Sequence, residues 1–244
     1  MFLYREVSIP KRRGEYRVIC VPDDELSERL EDYKSYLGQV LDELTRPDVS
    51  YGFETGKNCA LMALQHIGFR YTLSIDLKDF FDHVTLDKIP IELPQSITKD
   101  CFVNGRAPQG FSTSPFLANL SAIAMDTRIV NRLNKHDSLV YTRYADDLVV
   151  SFDDHSKHRE IKRGVIQEVV ASGFVVNERK TQLQAARNGR RIITGIGVGD
   201  FGIYPTRKTL KKLRAADHQN NVNSKHGLIA WSKCTLPKKV KIEK

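Results

Sequence analysis

The chain has 244 residues, 41% hydrophobic and 28% charged, which excludes a disordered chain and supplies a core for one large domain or two small ones. No apolar run approaches the roughly 20 residues needed to span a bilayer, and the N-terminus lacks a secretory pattern, so a cytoplasmic protein without membrane contact is expected. The net charge of +8 is uneven: residues 205–244 carry eleven Lys or Arg against Asp217 and Glu243, a net of +9, leaving −1 for the rest. The segment from Val7 to Pro22 reads as two short strands around a basic, glycine-containing turn. Asp23 or Asp24 then caps an amphipathic helix with Leu26, Leu30, Tyr33, Leu37, Val40, Leu41 and Leu44 inward, closed by Pro47.

Tyr71–Leu77 alternates strictly, predicting a strand that buries Leu73, Ile75 and Leu77 and presents Thr72, Ser74 and Asp76 on its open side. Ser114-Pro115 reads as a helix start, with Phe116, Leu120, Ile123, Thr127 and Val130 as the buried stripe. Residues 139–152 read as two β-rich runs joined at Ala145-Asp146-Asp147. A helix through Ile161, Val165, Ile166, Val169 and Val170 stops at Gly173; strands follow at Phe174–Val176 and Arg191–Ile193, and Thr206 caps a last basic helix. Helices interleaved with hairpins predict an α+β fold.

Asp146 and Asp147 in a tight turn, with Asp76 brought near, would repel one another unless a divalent cation reverses the sign. Hard oxygen donors suit Mg²⁺, and two such ions support in-line phosphoryl displacement. Read alone, an Asp pair also fits an ordinary surface turn. His155 and His158 have helical spacing but no third ligand, and Cys20, Cys59, Cys101 and Cys234 lie too far apart for a zinc site or a disulfide framework.

Five segments in a fixed order carry a resemblance. They are Ile9-Pro10-Lys11 through Arg17 and Pro22; Asp76-Leu77-Lys78-Asp79-Phe80-Phe81; Ala107 to Pro115 continuing to Leu120; Tyr144-Ala145-Asp146-Asp147; and Gly173 to Asn177 with Lys180-Thr181. Over roughly residues 4–200 they resemble bacterial reverse transcriptases, retron enzymes in particular and group II intron enzymes as well. The resemblance implies a right-hand polymerase: residues 1–70 mainly fingers, 71–200 a palm of antiparallel sheet backed by helices, with part of 82–115 returning to the fingers, and 201–244 a short basic thumb. It implies an RNA-directed DNA polymerase using two Mg²⁺ ions, with Mn²⁺ able to substitute.

The same resemblance assigns roles. Asp76 and Asp146 would hold the metals with Asp147 beside them, and Lys180 would give a proton to pyrophosphate. Lys11 (or Arg12 or Arg13) and Arg17 would neutralise the triphosphate, and Leu77, Phe81, Gln109 and Gly110 would line the dNTP, Phe81 beneath the sugar against a 2′-hydroxyl. Met62-Ala63-Leu64-Gln65-His66 resembles the retron Asn-Ala-x-x-His segment with Met in place of Asn, and Ile193-Thr194-Gly195 resembles Val-Thr-Gly. Through these, His66 and Thr194 would help recognise structured RNA, and Lys208, Lys211, Lys212 and Arg214 would follow its backbone. Read by itself, His66 fits a packed helix histidine. The implied partners are a structured RNA template and primer, dNTPs, the RNA–DNA hybrid product and an effector protein in anti-phage defence. The rivals are a reverse transcriptase from another bacterial system and a non-catalytic RNA-binding scaffold.

Overall fold

The computed structural model describes residues 3–10, 16–219 and 222–232, so Lys11, Arg12, Arg13 and Cys234 lie outside the described residues. In chain order the elements are β1 (Tyr4–Pro10), β2 (Tyr16–Pro22), α1 (Asp24–Glu43), α2 (Cys59–Leu64), β3 (Tyr71–Leu77), α3 (Gln95–Cys101), α4 (Ser114–Leu133) and β4 (Leu139–Tyr144). They continue as β5 (Asp147–Phe152), α5 (His158–Ala171), β6 (Val176–Ala185), β7 (Arg191–Ile193), β8 (Ile196–Val198), β9 (Ile203–Pro205), α6 (Arg207–His218) and α7 (Val222–Ser232). No helix among the described residues is long and apolar enough to cross a membrane. Two compact units result: Met1–Asp48 with Leu77–Arg132 and Gly164–Val176, and Val49–Asp76 with Leu133–Arg163 and Asn177–Lys244. Residues 49–70 therefore group with the β3–β5 sheet, not with the N-terminal strands.

In the first unit β1 and β2 pair antiparallel, Tyr4 opposite Pro22 and Pro10 opposite Tyr16. Asp23 caps α1 by accepting from the Leu26 N–H at 2.9 Å. The helix buries Leu26, Leu30, Leu37 and Leu41 and ends at Glu43, short of Pro47. Arg29 and Tyr33 donate from α1 to the Asp100 carboxylate on α3, at 2.9 and 3.2 Å. On α4 the buried face lies about one residue round from the expected stripe. Leu120 is buried as expected, together with Leu117, Ala118, Ser121, Ala122, Met125, Ile129 and Leu133, whereas Phe116, Ile123, Thr127 and Val130 are only half-buried. Small residues on that face permit close helix packing, which a count of large apolar side chains passes over.

In the second unit the sheet order is β4-β5-β3-β6. β3 and β5 are antiparallel with Tyr71 opposite Phe152 and Asp76 opposite Asp147, and β4 pairs with β5 from Leu139–Phe152 to Tyr144–Asp147. A smaller antiparallel sheet, β7-β8-β9, joins α2 in a core of Ala60, Met62, Ala63, Val149, Ile193, Ile196 and Val198, against which Tyr144 packs.

The expected open side of β3 is only partly open. Thr72 is buried, and its hydroxyl shares a 2.8 Å hydrogen bond with Ser151 on β5. His66 is wholly buried there, its Nδ1 bonded to the Ser151 hydroxyl at 2.8 Å and its Nε2 to the Thr142 hydroxyl at 2.7 Å. Arg191, also buried, donates to the Thr72 hydroxyl at 3.2 Å. Burial first, and the Arg191 charge second, push the His66 pKa down to about 3, so the ring is neutral, with one nitrogen donating and the other accepting.

Gly110 shows how sequence dictates a close approach in the first unit. Its φ is +113, and a Cβ there would overlap the Cys20 carbonyl oxygen and lie 2.6 Å from Ile19 Cγ2. The Cys20 N–H donates to the adjoining Gln109 carbonyl at 2.8 Å, pinning this loop against β2. Gly110→Ala should therefore lower stability by about 2–5 kcal/mol, read as a reduced urea midpoint with an unchanged m-value; an unaltered midpoint would refute the close approach.

Candidate active site

Backbone register builds the carboxylate cluster. Asp76 ends the sheet-bonded run of β3 directly across from Asp147 on β5, and Tyr144 faces Asp147 where β4 meets β5. Only Ala145 and Asp146 remain for the turn, so Asp147 belongs to the strand and not to the turn expected for it. Ala145 takes φ +53, a conformation that costs an L-residue roughly 1–2 kcal/mol and persists where neighbours over-determine it.

Asp76 is 7% exposed. Its Oδ2 accepts from Lys180 Nζ at 2.9 Å, and this hydrogen bond is the main reason the Lys180 pKa is raised. Asp147 is pushed up to about 6, chiefly by burial, then by the Asp146 and Asp76 charges, with Lys180 opposing. Asp76, Asp147, Lys180, Arg179, Tyr144 and Thr194 all contribute to the wall of one cleft of about 630 Å³. Among the described residues no three His, Cys, Asp or Glu side chains converge into a ready-made metal cage. The His155 and His158 rings simply stack, 5.9 Å apart.

The residues expected to line a nucleotide belong to the first unit, except Lys11, which lies outside the described residues. Arg17 is exposed on β2. Leu77 is buried, so its side chain belongs to the core. Phe80 is buried against Phe174 at 5.5 Å, while Phe81 is half-buried and meets Phe80 edge-on at 5.7 Å. Gln109 is half-buried, and Gly110 owes its lack of a side chain to Cys20 and Ile19, as described above.

The residues expected to touch RNA fall into two groups. His66 is a correction: fully buried, with both ring nitrogens bonded inside the protein, it has no free face to offer. Met62, where the related segment has Asn, is likewise buried in the core, a place that would penalise an amide lacking partners. Asn58 instead serves the helix, capping α2 by accepting from the Ala60 and Leu61 N–H groups at 2.9 Å. Thr194 is different. With Gly195 it forms the two-residue turn between β7 and β8, both at positive φ (+44 and +83). Its hydroxyl is buried and makes no hydrogen bond among the described residues. Lys208, Lys211, Lys212 and Arg214 are all exposed on α6, whose N-terminus Thr206 caps by accepting from the Thr209 N–H at 3.2 Å.

Sequence reading missed Arg143, next to the signature and only 1% exposed, whose Nη1 donates to the Ala145 carbonyl at 3.3 Å. A charge amid the otherwise apolar and hydroxyl-bearing run of β4 was the available signal.

The family described as reverse transcriptase (RNA-dependent DNA polymerase) matches residues 9–223. The retron Ec86 reverse transcriptase of Escherichia coli is 32% identical over 228 residues, covering 89% of this chain and 70% of that protein. The retron Mx65 reverse transcriptase of Myxococcus xanthus is 29% identical over 271 residues, covering 96% and 62%. Among solved structures, the foamy viral protease-reverse transcriptase in complex with double-stranded DNA aligns with a TM-score of 0.56 at 18% identity, over 93% of this chain and 35% of that one. A Candida tropicalis telomerase truncated from its C-terminal domain aligns at 0.56 and 15% identity, over 83% and 55%. These structures share the right-hand polymerase fold, and divalent metals are general to such enzymes. The extent and agreement of these matches settle the assignment: the chain belongs to the reverse transcriptase family, as an RNA-directed DNA polymerase of the bacterial retron type.

Proposed function

We propose that the chain copies a dedicated structured RNA into DNA within a retron-like anti-phage system, by two-metal nucleotidyl transfer at Asp76, Asp146 and Asp147. The observation that carries this reading is the register that opposes Asp76 to Asp147 beside a two-residue turn holding Asp146. The donor set fits Mg²⁺, which commonly takes one or two carboxylates and completes its shell with water and substrate phosphates. Bound there, divalent cations would polarise the attacking and leaving oxygens.

Each protein group then has a defined task. Asp76 and Asp146 supply the metal-facing carboxylates, and Asp147, ionised above about pH 6, adds negative charge beside them. The primer hydroxyl gives its proton to solvent water, its oxygen bonds to the α-phosphorus of a dNTP, and the bond to pyrophosphate breaks. Lys180, held cationic by Asp76, stands ready to neutralise charge on the departing pyrophosphate and to return a proton once released from that carboxylate. Phe81 excludes a ribose 2′-hydroxyl, and Arg17 with Lys11 neutralises the triphosphate. The basic face of α6 offers contacts to the nucleic-acid backbone.

Three outcomes are expected. In primer extension on an RNA template with dNTPs and Mg²⁺, Asp146→Ala should reduce the rate by about 10³-fold or more; a variant as active as the wild type would overturn the assignment. Phe81→Ala should relax discrimination against rNTPs on the order of tenfold, and an unchanged dNTP/rNTP selectivity ratio would remove Phe81 from the gate. In the metal-free protein the raised Asp147 pKa favours the protonated form, a stabilisation lost as pH rises through about 6. The ionised form attracts a cation and the protonated form does not, so Mg²⁺ affinity should fall as pH drops below that value. Calorimetric titration from pH 5 to 8 reads this directly, and Asp147→Asn should flatten the dependence.

A further inference from the structure

We infer that residues 49–57 form a buttress that sets the position of Asp146, with Gly52 and Arg143 as its positioning residues. The inference rests on the reading that Asp146 is a metal-facing carboxylate. All of the contacts lie within the second unit.

β4 is an edge strand, with one row of backbone groups unpaired by the sheet. At Arg143 that edge is closed. The Arg143 N–H donates to the Val49 carbonyl and the Arg143 carbonyl accepts from the Tyr51 N–H, both at 2.8 Å, in a parallel bridge centred on buried Ser50. Lys57 fastens the segment, donating to the Ser50 carbonyl at 2.9 Å with its Nζ 4.8 Å from the centroid of the Tyr51 ring.

The next residue, Gly52, presses on the turn itself. A Cβ there would lie 2.6 Å from the Ala145 nitrogen, 3.1 Å from the Tyr144 carbonyl carbon and 3.3 Å from the Tyr144 Cα. These are main-chain atoms of the two residues before Asp146, and unlike a side-chain tip they cannot swing away. From the protein interior the buried Arg143 guanidinium holds the Ala145 carbonyl at 3.3 Å. Gly52 and Arg143 thus both bear on the peptide leading into Asp146. Two non-glycine residues beside this contact, Phe53 at φ +61 and Ala145 at φ +53, adopt left-handed conformations, the strain expected where packing over-determines the backbone. A loop that merely filled space would not need glycine at this contact. Metal coordination tolerates about 0.2 Å, less than the shift a methyl group at Gly52 would force on the turn.

The test compares Gly52→Ala with Gly38→Ala, whose Cβ would meet only Phe116 Cε1 at an ordinary 3.5 Å. Mn²⁺ affinity is measured by electron paramagnetic resonance, and kcat and KM for dNTP by primer extension. Gly52→Ala should weaken Mn²⁺ binding about tenfold and lower kcat about 10- to 100-fold, with KM within about twofold of wild type. Gly38→Ala should leave both readouts unchanged. A folded Gly52→Ala protein with wild-type Mn²⁺ affinity and kcat overturns the buttress. If Gly52→Ala does not fold, Lys57→Met decides: a threefold or greater loss of Mn²⁺ affinity at native melting temperature supports the inference, and unchanged affinity overturns it. A wild-type protein that binds Mn²⁺ but extends no primer counts against the proposed function alone, because the Mn²⁺ comparison still tests the buttress.

Discussion

The antiparallel register between β3 and β5 sets two carboxylates, Asp76 and Asp147, face to face, and the second unit is organised around holding that unfavourable pair. Two like charges about 4 Å apart repel by roughly 4 kcal/mol at an effective dielectric of 20, and Asp146 adds a third. The protein offsets part of this itself, with Lys180 on Asp76 and a raised pKa at Asp147. Carboxylates perturbed in this way cluster at functional sites.

Such a site is useful only if its backbone does not relax. The core of Ala60, Met62, Ala63, Val149, Ile193, Ile196 and Val198 fixes the hairpin from one direction, with Tyr144 packed against it. The network of His66, Ser151, Thr142, Thr72 and Arg191 joins the segment after α2, three neighbouring strands and β7 through hydrogen bonds, with Arg191 Nε left without a partner among the described residues. Buried polar networks of this sort specify one arrangement more sharply than apolar packing alone. His66, expected to face RNA, is instead enclosed among the hydroxyls of three strands.

The basic C-terminal segment follows a different logic. α6 keeps Lys208, Lys211, Lys212 and Arg214 in solvent, and Lys225 on α7 pairs with Asp217 at 2.5 Å. The four α6 cations thus stay exposed on a helix whose N-terminus Thr206 caps.

Much of this protein was legible in its sequence because the relevant signals are local. Period-two alternation marked β3, the Asp23 cap and Leu spacing marked α1, Thr206 marked α6, and the Tyr-Ala-Asp-Asp signature marked the hairpin and its carboxylates. What only the tertiary structure decided depends on atoms distant in sequence. Burial of Thr72 and His66 required knowing that Ser151 and Arg191 lie beside them. The α4 face turned on small residues whose value is close approach, and Gly110 proved necessary because Cys20 and Ile19 occupy its side-chain space. Gly52 and Arg143 matter through the turn they press upon, nearly a hundred residues away in one case and two in the other. Sequence patterns encode which residue types face inward, but excluded volume and hydrogen-bond partners across the fold determine which of them press on the turn between β4 and β5.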